Sequence, residues 1–485
     1  MIQTVPNQET YSLDAYDQYA SLAQVLEAFR AEARQLAPNL RGRKIWMVNS
    51  TATGGGVAEM MPRMMGLMQA MDLDVEWVVM QTDEEPFFNL TKNLHNLIHG
   101  AGHTEISAED RAMYERINRE NAADLAERLS PDDLLVIHDP QPMAMGAMLK
   151  EELGIRTVWR CHIGLDETNA HTQAAWDFLE PYMAGYDRFV FSVPDYVPEA
   201  LRGHTSIIAP AIDPLTHKNR HLSLHKLAGI LIDGDIIEPS HPVIAPPFAH
   251  KTTRVMPDGS FGPPHQHGDL GLLFRPIITQ VSRWDTLKGW LPLLQGFAAL
   301  KLEDRFRGHS ERHDRRLDSV RLVLAGPDPA FIADDPEGKA TLDDLIGAYR
   351  ALPADLQADV AILLLPMQSR KENALIVNAL QRCSTIVVQN SLQEGFGLTV
   401  SEAMWKGIPV MGSQAAGIRQ QLRDGLEGRL TPQASDPEAV AQTLHEMLID
   451  PEGRSAWGFN AQKRAIEHFL VFSQIRKWMQ VLNEV

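Results

Sequence analysis

The chain has 485 residues, 44% of them hydrophobic and 22% charged, a globular balance with far more apolar material than a disordered chain carries. Its 45 basic and 63 acidic residues give a net charge of −18, which argues against a nucleic-acid partner and confines any phosphate site to a small focused pocket. Two cysteines, Cys161 and Cys383, cannot form a disulfide framework. No apolar run approaches about 18 residues, and the first residues lack the basic start and apolar core of a signal peptide. A cytoplasmic protein of two or three domains without membrane insertion is expected.

Residues 12–37 carry Tyr16, Leu22, Val25, Leu26 and Phe29 at helical spacing and read as one amphipathic helix, ended by Pro38-Asn39. An apolar strand at 44–50 is followed by the glycine run Gly54-Gly55-Gly56, a Met-rich helix with Pro62 near its start, and a strand at 75–81. That is one βαβ unit. Apolar runs at 133–139, 156–163, 187–192 and 206–212 continue the alternation and suit a parallel sheet covered on both faces. Residues 240–272, rich in Pro and Gly and without period, read as a long loop or insertion. Strands resume at 276–284, 320–326, 359–366, 384–391 and 408–414, with a helix opening near Gly397 and helices at 436–448 and 456–483. No tandem repeat of fixed period is present. Two successive αβ halves predict an α/β architecture of two Rossmann-like domains facing a cleft, with ligands beyond the C-terminal ends of the strands.

Residues just after strands therefore carry the most weight. Glu394-Gly395-Phe396-Gly397-Leu398-Thr399 follows one strand and opens a helix that contains Glu402. The glycines allow close backbone approach, and the first helix amides, at Leu398 and Thr399, can bind an anion. A tight turn with a solvated Glu402 is the plainer reading. Arg283 and Lys288 lie five apart across another strand-to-helix turn, where two converging cations would suit a diphosphate leaving group. Two surface cations flanking a helix explain the same spacing. The run at Gly54–Gly56 lacks both the G-x-G-x-x-G and the Walker spacings, so a sharp turn with close helix packing explains it equally well. His138 and His162 each end an apolar strand and can project from the sheet, as a structural histidine also would. His265 and His267 lie in the Pro/Gly-rich segment without a matching ligand cluster, and Asp233-Gly234-Asp235 lacks a strand–loop–helix context. No metal site is expected from either.

Together these segments resemble retaining glycosyltransferases of the GT-B type. The Arg283/Lys288 turn and the two glutamates Glu394 and Glu402, seven residues between them, are similar to the donor-site motifs of glycosyltransferase family four. Segments 49–64, 87–100, 138–142, 159–164, 210–219, 280–290 and 372–382 narrow the resemblance to trehalose-forming members, a group that includes a glycosyltransferring synthase and a retaining phosphorylase. Two features depart from the group. Gly164 stands where an acidic residue is usual, and the segment 240–272 is longer than in the simplest synthases. Both leave the acceptor open.

The resemblance implies an N-terminal acceptor domain at 1–213, a C-terminal donor domain at 214–466, and a terminal helix at about 467–485 packing back on the first. It implies transfer of glucose from a nucleotide sugar such as UDP-glucose or ADP-glucose to glucose or a related acceptor, with retention. Arg283 and Lys288 would hold the diphosphate, helped by the amides of Leu398 and Thr399 after Gly395, Phe396 and Gly397. Glu394 would hold the donor sugar, Glu402 the ribose, and the strand end at Leu365-Pro366 the base. His162 would sit near the sugar ring, Gly55 and Gly56 near the phosphates, and Asn93, His138 and Asp139 near the acceptor. No cofactor or divalent ion is expected for the chemistry, and a homodimer is allowed. A phosphorylase using glucose 1-phosphate is the competing enzyme, and a catalytically silent sugar or nucleotide sensor is the competing class.

Overall fold

The computed structural model describes residues 2–7, 11–52, 55–238, 247–331 and 336–485, and the chain divides into two compact units. Unit 1 comprises Met1–Ala211 and Glu467–Val485, and unit 2 comprises Ile212–Ile466. Among the described residues no helix is long and apolar enough to cross a membrane.

Unit 1 is built on strands β1 (Gln3–Val5), β2 (Ile45–Asn49), β3 (Val75–Val79), β4 (Leu134–His138), β5 (Arg156–Cys161), β6 (Arg188–Phe191) and β7 (Thr205–Ile207). Their order in the sheet is β1-β3-β2-β4-β5-β6-β7, parallel throughout except for β1, which runs antiparallel to β3. Strands β2 and β4 are buried along their whole length, as a sheet covered by helices requires. The chain order reverses at β2 and β4, so the crevice for a ligand lies beyond Asn49 and His138. The terminal helix Val471–Glu484 belongs to this unit. Its Phe472 ring lies 4.7 Å from Tyr16 and 5.6 Å from Phe29, and its Glu484 pairs with Arg188 at 2.8 Å.

Unit 2 holds β8 (Thr253–Val255), β9 (Phe261–Gly262), β10 (Ile277–Val281), β11 (Arg321–Pro327), β12 (Val360–Leu365), β13 (Ile386–Gln389), β14 (Val410–Gly412) and β15 (Gly428–Leu430). The sheet order is β15-β14-β13-β10-β11-β12-β8-β9. Its six parallel strands thus follow the dinucleotide-fold order, with the switch point between β10 and β13. Two apolar cores cover its faces, one around Trp284, Phe297 and Leu444, the other around Leu231, Leu363 and Ile376.

Three expectations change. The stretch 12–37 is two short 3-10 turns, Leu13–Tyr16 and Ala20–Leu22, before the helix Ala23–Leu36; Tyr19, at φ −100° and ψ 99°, is extended and breaks the helical run. The expected helix at 456–483 is two helices, Pro451–His468 and Val471–Glu484, broken where Leu470 turns extended. The segment 240–272 is not only loop. Strands β8 and β9 form a hairpin whose turn carries Gly259 at φ 88°, and β8 pairs antiparallel with β12. Arg254 on β8 is fully buried and donates to the carbonyls of Val360 and His267, which anchors the hairpin.

Candidate active site

The residues expected to hold the donor meet in unit 2, at the β10/β13 switch point. The turn after β10 is held by two buried tryptophans whose rings lie 4.7 Å apart. Trp284 Nε1 donates to Pro327 O at 2.7 Å and Trp290 Nε1 to Arg283 O at 3.0 Å. Gln280, buried at the end of β10, links this turn to the one after β13. Its Nε2 donates to Lys288 O at 2.8 Å and its Oε1 accepts from Asn390 N at 2.9 Å. Leu392 N donates to Leu287 O at 2.7 Å. Gly289 has φ 63°, and a Cβ there would meet Asn390 O at 2.1 Å, so glycine is required for the two turns to touch.

This lacing brings Lys288 Nζ to 2.8 Å from Glu394 Oε2, with both side chains largely buried. The same oxygen accepts from Gln389 Nε2 at 3.1 Å and Ser391 Oγ at 3.0 Å. The anionic carboxylate thus has three donors, one of them charged. Arg283 does not converge with Lys288. Its side chain is 68% exposed, and its ion-pair partner among the described residues is Asp285, at 4.0 Å. The aromatic packing fixes the backbone at Arg283 while leaving its head in solvent.

Gly397, at φ 81°, opens the helix Leu398–Trp405. Among the described residues the amides of Leu398 and Thr399 have no hydrogen-bond partner, as expected for a first turn. Thr399 Oγ1 donates to Val281 O at 3.4 Å, tying the helix start to the end of β10. Gly395 and Phe396 are backed by Gly417, where a Cβ would meet Phe396 Cα at 2.5 Å. Gln421 donates to Gly397 O and to Phe396 O.

Glu402 sits deeper in the same helix and is 5% exposed. Gln381 Nε2 donates to its Oε2 at 3.4 Å, and Lys218 Nζ stands 3.6 Å from its Oε1. Lys406 Nζ donates to Gln381 Oε1 at 2.6 Å, Asn219 Oδ1 at 3.3 Å and Glu402 O at 3.2 Å. Burial pulls Lys406 down to about 7, opposed by Glu402. Three acceptors around Nζ match an ammonium group with three donors. At the end of β12 the Leu365 side chain is in the core, so only backbone is presented. Leu365 O accepts from Asp328 N, and Pro366 O from Asn373 Nδ2.

In unit 1 two histidines stack at the sheet end, rings 5.2 Å apart and 14° from parallel, with His138 Nδ1 2.9 Å from His162 Nε2. His138 Nε2 faces Met47 Sδ at 3.5 Å. Both nitrogens of His138 are therefore engaged within the fold, one of them by His162. Among the described residues His162 Nδ1 has no partner, so it is the nitrogen left for a ligand. Burial lowers His138 to about 3 and His162 well below its ordinary value, and Arg160 acts in the same direction, so both rings are neutral at neutral pH.

Asp139 takes left-handed backbone, φ 64°, and its Oδ1 accepts from His162 N at 2.9 Å. Burial raises it to about 6, opposed by that amide and by Arg160. Asn93 engages a backbone neighbour. Its Oδ1 and Nδ2 are both used by the backbone of His103, each at 2.8 Å, pinning the following loop. At Gly164 a Cβ would meet Tyr196 Cγ at 2.3 Å, so the tyrosine fills the room an acidic side chain would need. Gly55 and Gly56 are the first residues of the helix Gly55–Gln69 rather than part of a loop, and Gly54 lies outside the described residues. Away from these sites, His265 Nδ1 is 3.3 Å from Asp235 O, and among the described residues no three His, Cys, Asp or Glu side chains group as metal ligands.

Sequence reasoning missed Gln280, Gln389, Ser391, Lys218 and Gln381. The first two carry a legible signal, since a glutamine ending an apolar strand is a buried polar group in need of partners.

The family described as "Trehalose synthase, N-terminal domain" matches residues 47–198, and "Glycosyl transferases group 1" matches residues 273–464. A trehalose synthase of Pyrococcus horikoshii is 32% identical over 456 residues, covering 94% of this chain and 93% of that protein. A trehalose phosphorylase of Pleurotus pulmonarius is 26% identical, covering 86% of this chain and 54% of that protein. Among solved structures, a UDP-forming α,α-trehalose-phosphate synthase from Burkholderia xenovorans shares the fold, with a TM-score of 0.63, 18% identity, and coverage of 91% of this chain and 98% of that one. With both halves of the chain matched and a near-full-length relationship at 32% identity, this protein belongs to the trehalose synthase family of retaining GT-B hexosyltransferases.

Proposed function

We propose that the chain moves glucose from a nucleotide diphosphate sugar to glucose or a close relative, forming trehalose or a similar α-glucoside with retention. The observation that carries this reading is the buried Lys288–Glu394 pair beside the unpartnered amides of Leu398 and Thr399, at the switch point of a dinucleotide-type sheet. That arrangement offers positive charge for a leaving diphosphate and a carboxylate for sugar hydroxyls within one small volume. As the C1–O bond to the diphosphate breaks, Lys288 and the helix amides stabilise the charge left on phosphate. The acceptor oxygen bonds C1 on the same face, and its proton passes to the departing phosphate oxygen, so no enzyme nucleophile and no metal is needed. Glu394 orients the donor sugar and Glu402 the ribose, while neutral His162 offers Nδ1 to a sugar hydroxyl. The exposed head of Arg283 can swing onto the diphosphate.

The test is product analysis with UDP- or ADP-glucose plus glucose, run beside glucose 1-phosphate plus glucose. Trehalose and free nucleoside diphosphate are expected from the first mixture. Product from glucose 1-phosphate alone would replace this reading with a phosphorylase. Tight nucleotide binding without turnover on any donor would replace it with a sensor.

A further inference from the structure

Unit 2 carries a second concave site, an open cavity of about 440 Å3 at the N-terminal end of β10 and β13. Pro276 and Thr385, the residues preceding those strands, form part of its wall. At about 3.3 Å per strand residue, the length of β10 separates it by roughly 15 Å from the turn bearing Lys288. Four arginines line it: Arg275, Arg316, Arg382 and Arg454. Among the described residues no acidic side chain does.

Among the described residues neither Arg275, Arg316 nor Arg454 has a carboxylate within ion-pair distance. Arg275 Nε is buried without a hydrogen-bond partner. Arg316 and Arg454 each give one nitrogen to the last carbonyls of the helix Pro437–Ile449, which leaves the rest of each fork uncommitted. Arg382 is engaged by Asn378 and by the carbonyls of Asn219 and Arg220. Burial holds Arg454 down at about 10 and lowers Arg316; repulsion from Arg312 adds to both, Arg316 adds to Arg454, and Asp450 opposes only in part. Concentrated positive charge inside a chain of net charge −18 costs folding energy unless something negative binds there. Beside the arginines, Leu224, Leu273 and Phe274 are 83%, 50% and 71% exposed, giving the site an apolar lip.

We propose that this cavity is a binding site for a small phosphorylated organic anion, distinct from the donor site. The arginine forks take the phosphate oxygens, and Leu224, Leu273 and Phe274 cover the organic part. The volume suits one small ligand.

Phenyl phosphate, titrated calorimetrically into the full chain with excess UDP present to fill the donor site, tests this. One phenyl phosphate per chain is expected, bound at least about tenfold tighter than inorganic phosphate because the apolar lip contributes. Arg275→Glu should weaken binding at least about tenfold, and Arg275→Gln by an intermediate factor; neither removes a helix cap. Lys288→Ala should bind the probe like the wild type. Each variant is accompanied by its melting temperature without probe, and Arg275→Gln carries the test if the charge reversal does not fold. No saturable heat, equal affinity in the wild type and the Arg275 variants, or loss in Lys288→Ala instead would overturn the proposal. So would a dimer that Arg275→Glu or Leu224→Asp dissociates without any phosphate binding, which would make the surface an interface between copies.

Discussion

Lys288 Nζ and Glu394 Oε2 lie 2.8 Å apart across 106 residues of sequence, in a pocket that admits little water to either side chain. The two side chains proposed above for separate roles, a cation for phosphate and a carboxylate for sugar, are paired in the folded chain. Lys288→Ala and Glu394→Gln should each lower kcat by about 100-fold, since each removes preorganised charge at the reacting centre. The double variant should lose far less than the product of the two, because the groups act as a unit. Multiplicative losses in steady-state kinetics would mean that the two side chains act independently rather than as a pair.

Glu402 should fail differently. It is buried against Gln381 and Lys218, and in the proposed reading it holds the ribose rather than the phosphate. Glu402→Gln and Lys218→Ala are expected mainly to raise the donor KM and weaken nucleoside diphosphate binding by calorimetry, whereas Glu394→Gln mainly lowers kcat. Equal kcat losses with unchanged nucleotide affinity would show the two carboxylates to be wrongly assigned.

Gln280→Leu should destabilise unit 2 and slow turnover together. It strips partners from Lys288 O and Asn390 N, a loss of about 1–3 kcal/mol for each group left buried and unsatisfied. A melting temperature and kcat both within error of wild type would refute the lacing role of this side chain.

Activity should survive EDTA if, as proposed, Lys288 and the amides of Leu398 and Thr399 supply the charge that a divalent ion would otherwise provide. Loss on chelation, restored by a divalent ion, would redirect attention to Asp235 and His265, which already lie together.

Stability should fall on mild acidification. Burial depresses His138 to about 3 and His445 to about 4, and His162 lies well below its ordinary value. The unfolded chain protonates these rings near pH 6.5 while the folded chain keeps them neutral. Their contribution is complete above pH 6.5 and is lost progressively toward pH 4, at about 1.4 kcal/mol per pH unit for each fully responding ring. Urea unfolding between pH 6.5 and 5 should show this slope, and His138→Gln should make it shallower. A flat profile, or an unaltered slope in that variant, would contradict the burial argument.

The sequence by itself determined the αβ alternation, because short apolar runs such as Val360–Leu365, bounded by turn residues and alternating with helical segments, suit buried parallel strands. It also singled out Glu394, Lys288 and His162 as candidates, since each follows such a run. What it could not set was the direction of each side chain. Arg283 and Lys288 share one turn, yet Trp284 and Trp290 fix the backbone so that one head is in solvent and the other reaches Glu394. His138 and His162 read alike as strand ends, yet the register of β4 beside β5 stacks one under the other. The β8–β9 hairpin hid in a Pro/Gly-rich stretch because its pairing edge is β12, about a hundred residues further on. Local periodicity reports which face of an element is buried. Which polar groups then meet depends on contacts between distant segments, and only the tertiary structure decides those.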